Sequence, residues 1–200
     1  MRRDLPRDLE PADARRDLIA LLRLAFSAEL AAALAYGGHR RSLSDAIQAA
    51  EIERIRLDEI DHRDRIRGML ERLGSGPNPL LELVYTLIGS TISLLCLFGG
   101  WFVPMYGAGV LESRNVTPYE RAARLAVVVG RPEFVEDLLE MAEVEWDHEL
   151  YFRVRRDQHW MRAMFPRWRI PPPREEIRAT FDEFRRAATS SSPSSSPSSS

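Results

Sequence analysis

The sequence predicts an all-α protein, a four-helix bundle with extra short helices. Three observations lead there. Apolar residues recur at intervals of three and four through several long segments. Glycine- and proline-containing clusters separate those segments. Two Glu-x-x-His motifs interrupt apolar stripes instead of lying on polar faces. With 200 residues the chain is long enough for one good core and short for two.

Residues 1–14 are polar and expected to be flexible, and the bundle is expected over 15–170. A first helix is expected over 15–37, with Leu18, Leu22, Ala25, Ala33 and Tyr36 inward and Gly37-Gly38 as its stop. Ser44 can cap a second helix running to Leu73, with the inward stripe Ile52, Ile55, Ile66 and Met69. Gly74-Ser75-Gly76-Pro77-Asn78-Pro79 is a break. From Leu83 to Leu111 no residue is charged, a stretch that could span a bilayer on length alone. Its five glycines and Pro104 argue against one rigid span, and Gly99-Gly100 predicts a bend. Thr117-Pro118-Tyr119-Glu120 has the form of a capping box that starts a new short helix. Gly130-Arg131-Pro132 ends it, and a last long helix covers 133–158 with Phe134, Leu138, Met141 and Phe152 on one face. Pro171-Pro172-Pro173 leads a charged helix within 171–188. The serine–proline end, 189–200, cannot bury a core and is expected to be disordered.

Composition narrows the partners. A net charge of −2 gives no argument for nucleic acid. All 28 cationic side chains are arginine, read as genomic composition bias. The single cysteine, Cys96, allows neither an internal disulfide nor a thiolate zinc site, and is expected to act as a small apolar side chain. Met1 to Arg16 lacks the apolar core of a secretory signal, so the expected compartment is the cytoplasm, with a peripheral position on the inner face of the membrane as the refinement.

The chemistry lies in the interrupted stripes. Glu59 and His62 fall on the second helix between Ile55 and Ile66; Glu145 and His148 fall on the last between Met141 and Phe152. Burying unpaired carboxylates costs several kcal/mol, so these pairs need a compensating cation. Glu29 lies on the first helix between Ala25 and Ala33, with Tyr36 further along the same stripe, and Glu112 ends the uncharged stretch. One glutamate from each of two helices, and Glu-x-x-His from each of two others, is the pattern of di-iron carboxylate bundles. Two iron ions, or manganese, suit these ligands. Glu120 is the fallback for Glu112 and otherwise a cap. His39 and His159 fall outside the pattern and are read as surface or satisfied histidines. Asp58, Asp61, Arg63 and Asp64 read as a solvated face, with Asp61 or Asp147 available to brace a ligand histidine.

At these residues the sequence resembles the demethoxyubiquinone hydroxylases, ferritin-like di-iron quinone monooxygenases, over about residues 15–158. In that family a tyrosine follows the first glutamate by seven residues and a glycine comes two later, as Glu29, Tyr36 and Gly38 do here. The order of motifs also matches. The family's usual Asp-His-Ala-Gly-Glu run is replaced by Phe26-Ser27-Ala28-Glu29. The resemblance implies ligands Glu29, Glu59, His62, Glu112, Glu145 and His148, with Tyr36 beside them. It implies O₂ as co-substrate, a quinone-like or other apolar ring as substrate, and peripheral attachment to the membrane. The uncharged 83–111 segment is then a substrate entrance and membrane contact, or alternatively a buried bundle helix with its crossover. An apolar face left over there would meet lipid, a partner subunit of a homo-oligomer or the substrate. Two other functions fit the same ligands: a rubrerythrin- or ferritin-like protein for peroxide reduction or iron storage, and a membrane-associated bundle without activity.

Overall fold

The computed structural model describes Leu5 and residues 9–190. The rest of the expected flexible start and Ser191–Ser200 of the expected disordered tail lie outside the described residues. Among the described residues there is no strand. The α-helices are α1 (Pro11–Ser42), α2 (Ala46–Arg72), α3 (Pro79–Cys96), α4 (Phe102–Val128), α5 (Val135–Gln158) and α6 (Glu175–Ser190). Short 3-10 turns cover Pro132–Phe134 and Trp160–Met164.

Several boundaries differ from expectation, each for a physical reason. Helix α1 starts at Pro11, a residue suited to the first helical turn, and runs straight through Gly37-Gly38. These glycines are not a stop. A Cβ at Gly38 would lie 2.2 Å from the Ser93 carbonyl oxygen, so the missing side chain is what lets α3 approach. Asp45, not Ser44, caps α2, its carboxylate accepting from the Ile47 and Gln48 amides at 2.8 and 3.1 Å. Thr117-Pro118 starts no helix. Pro118 lies inside α4, and Val116, Tyr119, Ala122 and Ala123 around it are all buried, so packing overrides the proline. The expected bend at Gly99-Gly100 is present, with Gly100 at φ 64°.

The bundle consists of α1, α2, α4 and α5. Arg63 donates to the Phe26 carbonyl and Gly37 lies by Arg56, so α1 and α2 are antiparallel. Contacts Tyr36–Glu112 and Tyr119–Glu29 make α1 and α4 antiparallel. His148–Asp58 and Arg65–Glu140 do the same for α5 and α2. Helices α1 and α5 thus point one way, α2 and α4 the other. Such an order requires a long crossover between α2 and α4, and α3 is that crossover.

Helix α3 lies outside the bundle. It runs parallel to α1, meeting it at Ser27–Glu82, Ala31–Gly89 and Gly38–Ser93, and makes no comparable contact with another helix. Asn78 caps it and Pro79 opens it. Only Gly89 and Cys96 are buried; Leu83, Leu87, Leu94 and Leu95 are exposed, and Phe98 just beyond it is 81% exposed. The alternative of a fully buried 83–111 segment is therefore wrong for its first half, which shows its apolar face. The α4 half contributes Phe102, Met105, Ala108 and Glu112 to the interior.

The chain after α5 closes the far side. Trp168 is buried and donates to Glu149 at 2.7 Å, Trp146 donates to the Pro172 carbonyl at 2.9 Å, and Ile177 and Phe181 of α6 join the main core.

Candidate metal centre

All six predicted ligand residues converge. Their stripes explain why. On α2, Ile52, Ile55, Glu59, His62, Ile66 and Met69 are all buried; on α5, so are Phe134 just before it, Leu138, Met141, Glu145, His148 and Phe152. Helix period alone turns each Glu-x-x-His inward. Glu29 comes from α1 and Glu112 from α4, and none of the six side chains belongs to a residue more than 3% exposed.

The residues form two overlapping groups, Glu29–Glu59–His62–Glu145 and Glu59–Glu112–Glu145–His148. Within each group one potential ligand atom per residue lies within 4.8 Å of all the others. Glu59 and Glu145 belong to both. The histidines turn the same atom inward: His62 Nδ1 lies 3.2 Å from Glu145 Oε1, and His148 Nδ1 lies 3.3 Å from Glu59 Oε1. These pairs are close but not aligned for hydrogen bonding. Both Glu59 oxygens, Glu145 Oε1 and both inward Nδ1 atoms have no hydrogen-bond partner. Buried polar atoms are ordinarily satisfied, and the orphans gathered around one point form a group that could hold a cation. Four carboxylates offer four negative charges, which two divalent ions balance.

The electrostatics agree. Burial, then the nearby Glu145 charge, holds the Glu59 and Glu112 carboxyls well above their usual range. Burial pushes Glu145 up to about 8. Burial also lowers His62, keeping its imidazole neutral as a metal ligand must be. The buried groups can therefore hold metal ions in a polar interior, and without a cation burial favours the protonated forms of Glu59, Glu112 and Glu145.

Around the ligands stand side chains that brace them. Tyr36 donates to Glu112 and Tyr119 donates to Glu29. Asn115 bridges Glu112 and Glu145, at 3.2 and 3.1 Å. Both tyrosine hydroxyls are raised, first by burial and next by the carboxylate each one meets. Asp58 Oδ2 lies 3.0 Å from His148 Nε2. Burial works against its ionisation, but the His148 hydrogen bond and neighbouring positive charges keep Asp58 below its usual range.

Some expectations need correction. Asp58 sits at the edge of the solvated face, 30% exposed and paired with Arg54, and also braces His148, while Asp147 and Asp61 pair with Arg174 and Arg65 at 3.1 and 2.7 Å. Arg63 is half-buried and clasps Glu82. Glu120 is buried in mid-helix, caps nothing and belongs to neither ligand group. His39 is neither at the surface nor satisfied: it is buried, both ring nitrogens lack a hydrogen-bond partner, and burial lowers it to about 4. His159 stacks on Phe102 and accepts from the Met161 amide at 3.2 Å. Asn115 and Tyr119 also belong to the site, three and seven residues from Glu112 and so on its face of α4.

No protein-family model, curated protein or solved structure matches this chain.

Proposed function

We propose that this is a ferritin-like di-iron monooxygenase that uses O₂ to hydroxylate an apolar, quinone-like ring at a membrane surface. The observation that carries the reading is the pair of four-residue groups sharing Glu59 and Glu145, the donor set of a carboxylate-bridged two-metal centre. Glu29 and His62 would complete one position, Glu112 and His148 the other. When bound, two ferrous ions supply the electrons that begin the reduction of O₂. Asp58 fixes the tautomer of His148, leaving Nδ1 free of its proton. Tyr36, Asn115 and Tyr119 hold three of the carboxylates in place, and the apolar shell excludes water. Hydroxylation of a ring C–H by O₂ gives one hydroxyl and one water, and requires two electrons and two protons from an external reductant. The exposed leucines of α3 support placement at a bilayer, where such a ring resides.

Metal analysis and the absorption spectrum of aerobically purified protein test the centre. Two irons per chain with a band from coupled ferric ions are expected. The reduced protein, given ¹⁸O₂ and a short-chain quinone analogue, should yield a product carrying one labelled oxygen. A protein free of iron and manganese would end this reading.

A second reading, a rubrerythrin- or ferritin-like iron protein, draws on the closed state of the centre: every ligand residue is buried, which suits reactants as small as peroxide. Peroxide consumption with no labelled quinone product would favour it.

A further inference from the structure

We infer that the cleft between α1, α2 and the C-terminal half of α3 binds the phosphate of an anionic phospholipid whose acyl chains lie along the outer face of α3; this rests on the membrane-surface placement above. The cleft has a volume of about 510 Å³, more than a phosphate alone requires. One wall carries Arg40, Arg41 and Arg56; the other carries Ser90, Leu94 and Leu97. Two of these features are ordinary by themselves. Cations in the last turn of a helix, as Arg40 and Arg41 are, complement its dipole, and single exposed leucines are common. Their conjunction is what needs a ligand.

The charge is not neutralised from within. Glu53 takes Arg56 in a two-point contact at 2.7 and 2.9 Å and reaches Arg40 at 3.4 Å. One carboxylate thus serves two guanidiniums, and Arg41, the third, touches no acid among the described residues. Guanidiniums suit phosphate oxygens, and the Ser90 hydroxyl adds a donor. The apolar wall determines the source of that phosphate. Leu94 and Leu97 are 56% and 46% exposed, and they continue into a row formed by Leu80, Leu83, Leu87 and Leu95 on the same helix. A free inorganic anion would leave that row bare. A phospholipid fills both parts, with its headgroup among the arginines and its chains on the leucines. Gly38 and Gly89 hold α3 tight against α1, so the cleft wall is fixed.

The test uses the full-length, metal-loaded protein in vesicle flotation, with phosphatidylcholine alone and with added phosphatidylglycerol. Binding should rise with phosphatidylglycerol. Arg40→Ala and Arg41→Ala should each remove part of that rise, about fivefold per arginine, with metal content unchanged. Arg169→Ala, in a separate cleft, is the charge-matched control. Equal loss in Arg169→Ala would mean diffuse charge attraction and would overturn the site, as would a phosphatidylglycerol effect untouched in the double variant Arg40→Ala/Arg41→Ala. Monomeric dihexanoylphosphatidylglycerol is the second probe, read by titration calorimetry. Binding that depends on Arg41 supports the cleft even if no vesicle floats, in which case the membrane placement alone fails. Equally strong binding of inorganic phosphate would overturn the lipid assignment.

Discussion

In the middle of the bundle, four carboxylates and two imidazoles are buried, with both Glu59 oxygens, one Glu145 oxygen and both inward imidazole nitrogens unpartnered, while along α3 a row of leucines faces outward. Both arrangements are unfavourable for the isolated chain, since burying charge and exposing large apolar patches each cost free energy. They differ in what relieves them. On the proposed reading the centre is relieved by a small, compact cation in its interior. On the same reading the α3 face is relieved by something extended and apolar that meets a surface. One chain therefore carries two kinds of incompleteness. They lie on opposite sides of α1, which supplies Glu29 to the centre and Ala31 and Gly38 to α3.

The largest effect is expected from removing a shared carboxylate. Glu59→Ala takes a donor from both groups, so on the proposed reading metal per chain should fall close to zero by plasma mass spectrometry. The helical circular-dichroism spectrum should persist, because the seam left behind is largely apolar. Full metal content in this variant would mean that the two groups do not act as a centre. Next in size is the opposite operation on α3. Leu87→Arg together with Leu94→Arg should abolish vesicle flotation while leaving metal content at the wild-type level, as both side chains already face outward. Loss of metal in that variant would show that the two regions are not separable.

A third test concerns His39, which belongs to neither region. Its folded pKa, about 4, lies below the ordinary 6.5. The unfolded chain thus takes up a proton first as pH falls. Stability is unaffected above 6.5 and is lost between 6.5 and 4, by about 3 kcal/mol at most. His39→Leu should lessen that acid loss in urea titrations; an unchanged acid limb would place His39 in contact with solvent. The smallest effect is expected at Asp58. Asp58→Asn keeps the shape but weakens the brace on His148, and metal affinity should drop about tenfold in competition with a chelator, with stoichiometry retained.

What the sequence disclosed follows from periodicity. Glu59, His62, Glu145 and His148 were legible because a helix repeats along one strip and each motif sits inside a row of apolar residues. The bend at Gly99-Gly100 was legible from local chemistry instead, since glycine tolerates the positive φ that Gly100 adopts. Contacts between helices were not. Nothing in the neighbourhood of Asp58 distinguishes it from Asp61; only the arrival of α5 selects the former as the partner of His148. Pro118 read as a break because local chemistry says so, while Tyr119 next to it is held by Glu29 from another helix. Gly37-Gly38 carried the right information in the wrong guise: the lack of side chain serves a neighbour, not an ending.

The glycine contacts between α1 and α3 also bear on access. At Gly89 a Cβ would sit 2.6 Å from the Ala31 Cα, so backbone lies against backbone there. That line is too tight for a planar ring to slip through, and it stands between the outward leucines and the carboxylates. Any bulky traveller from the α3 side must round an end of the bundle. At the end where α3 hands over to α4 stand aromatic rings, with Trp101 and Phe102 tilted at a 6.4 Å centroid spacing and His159 stacked on Phe102.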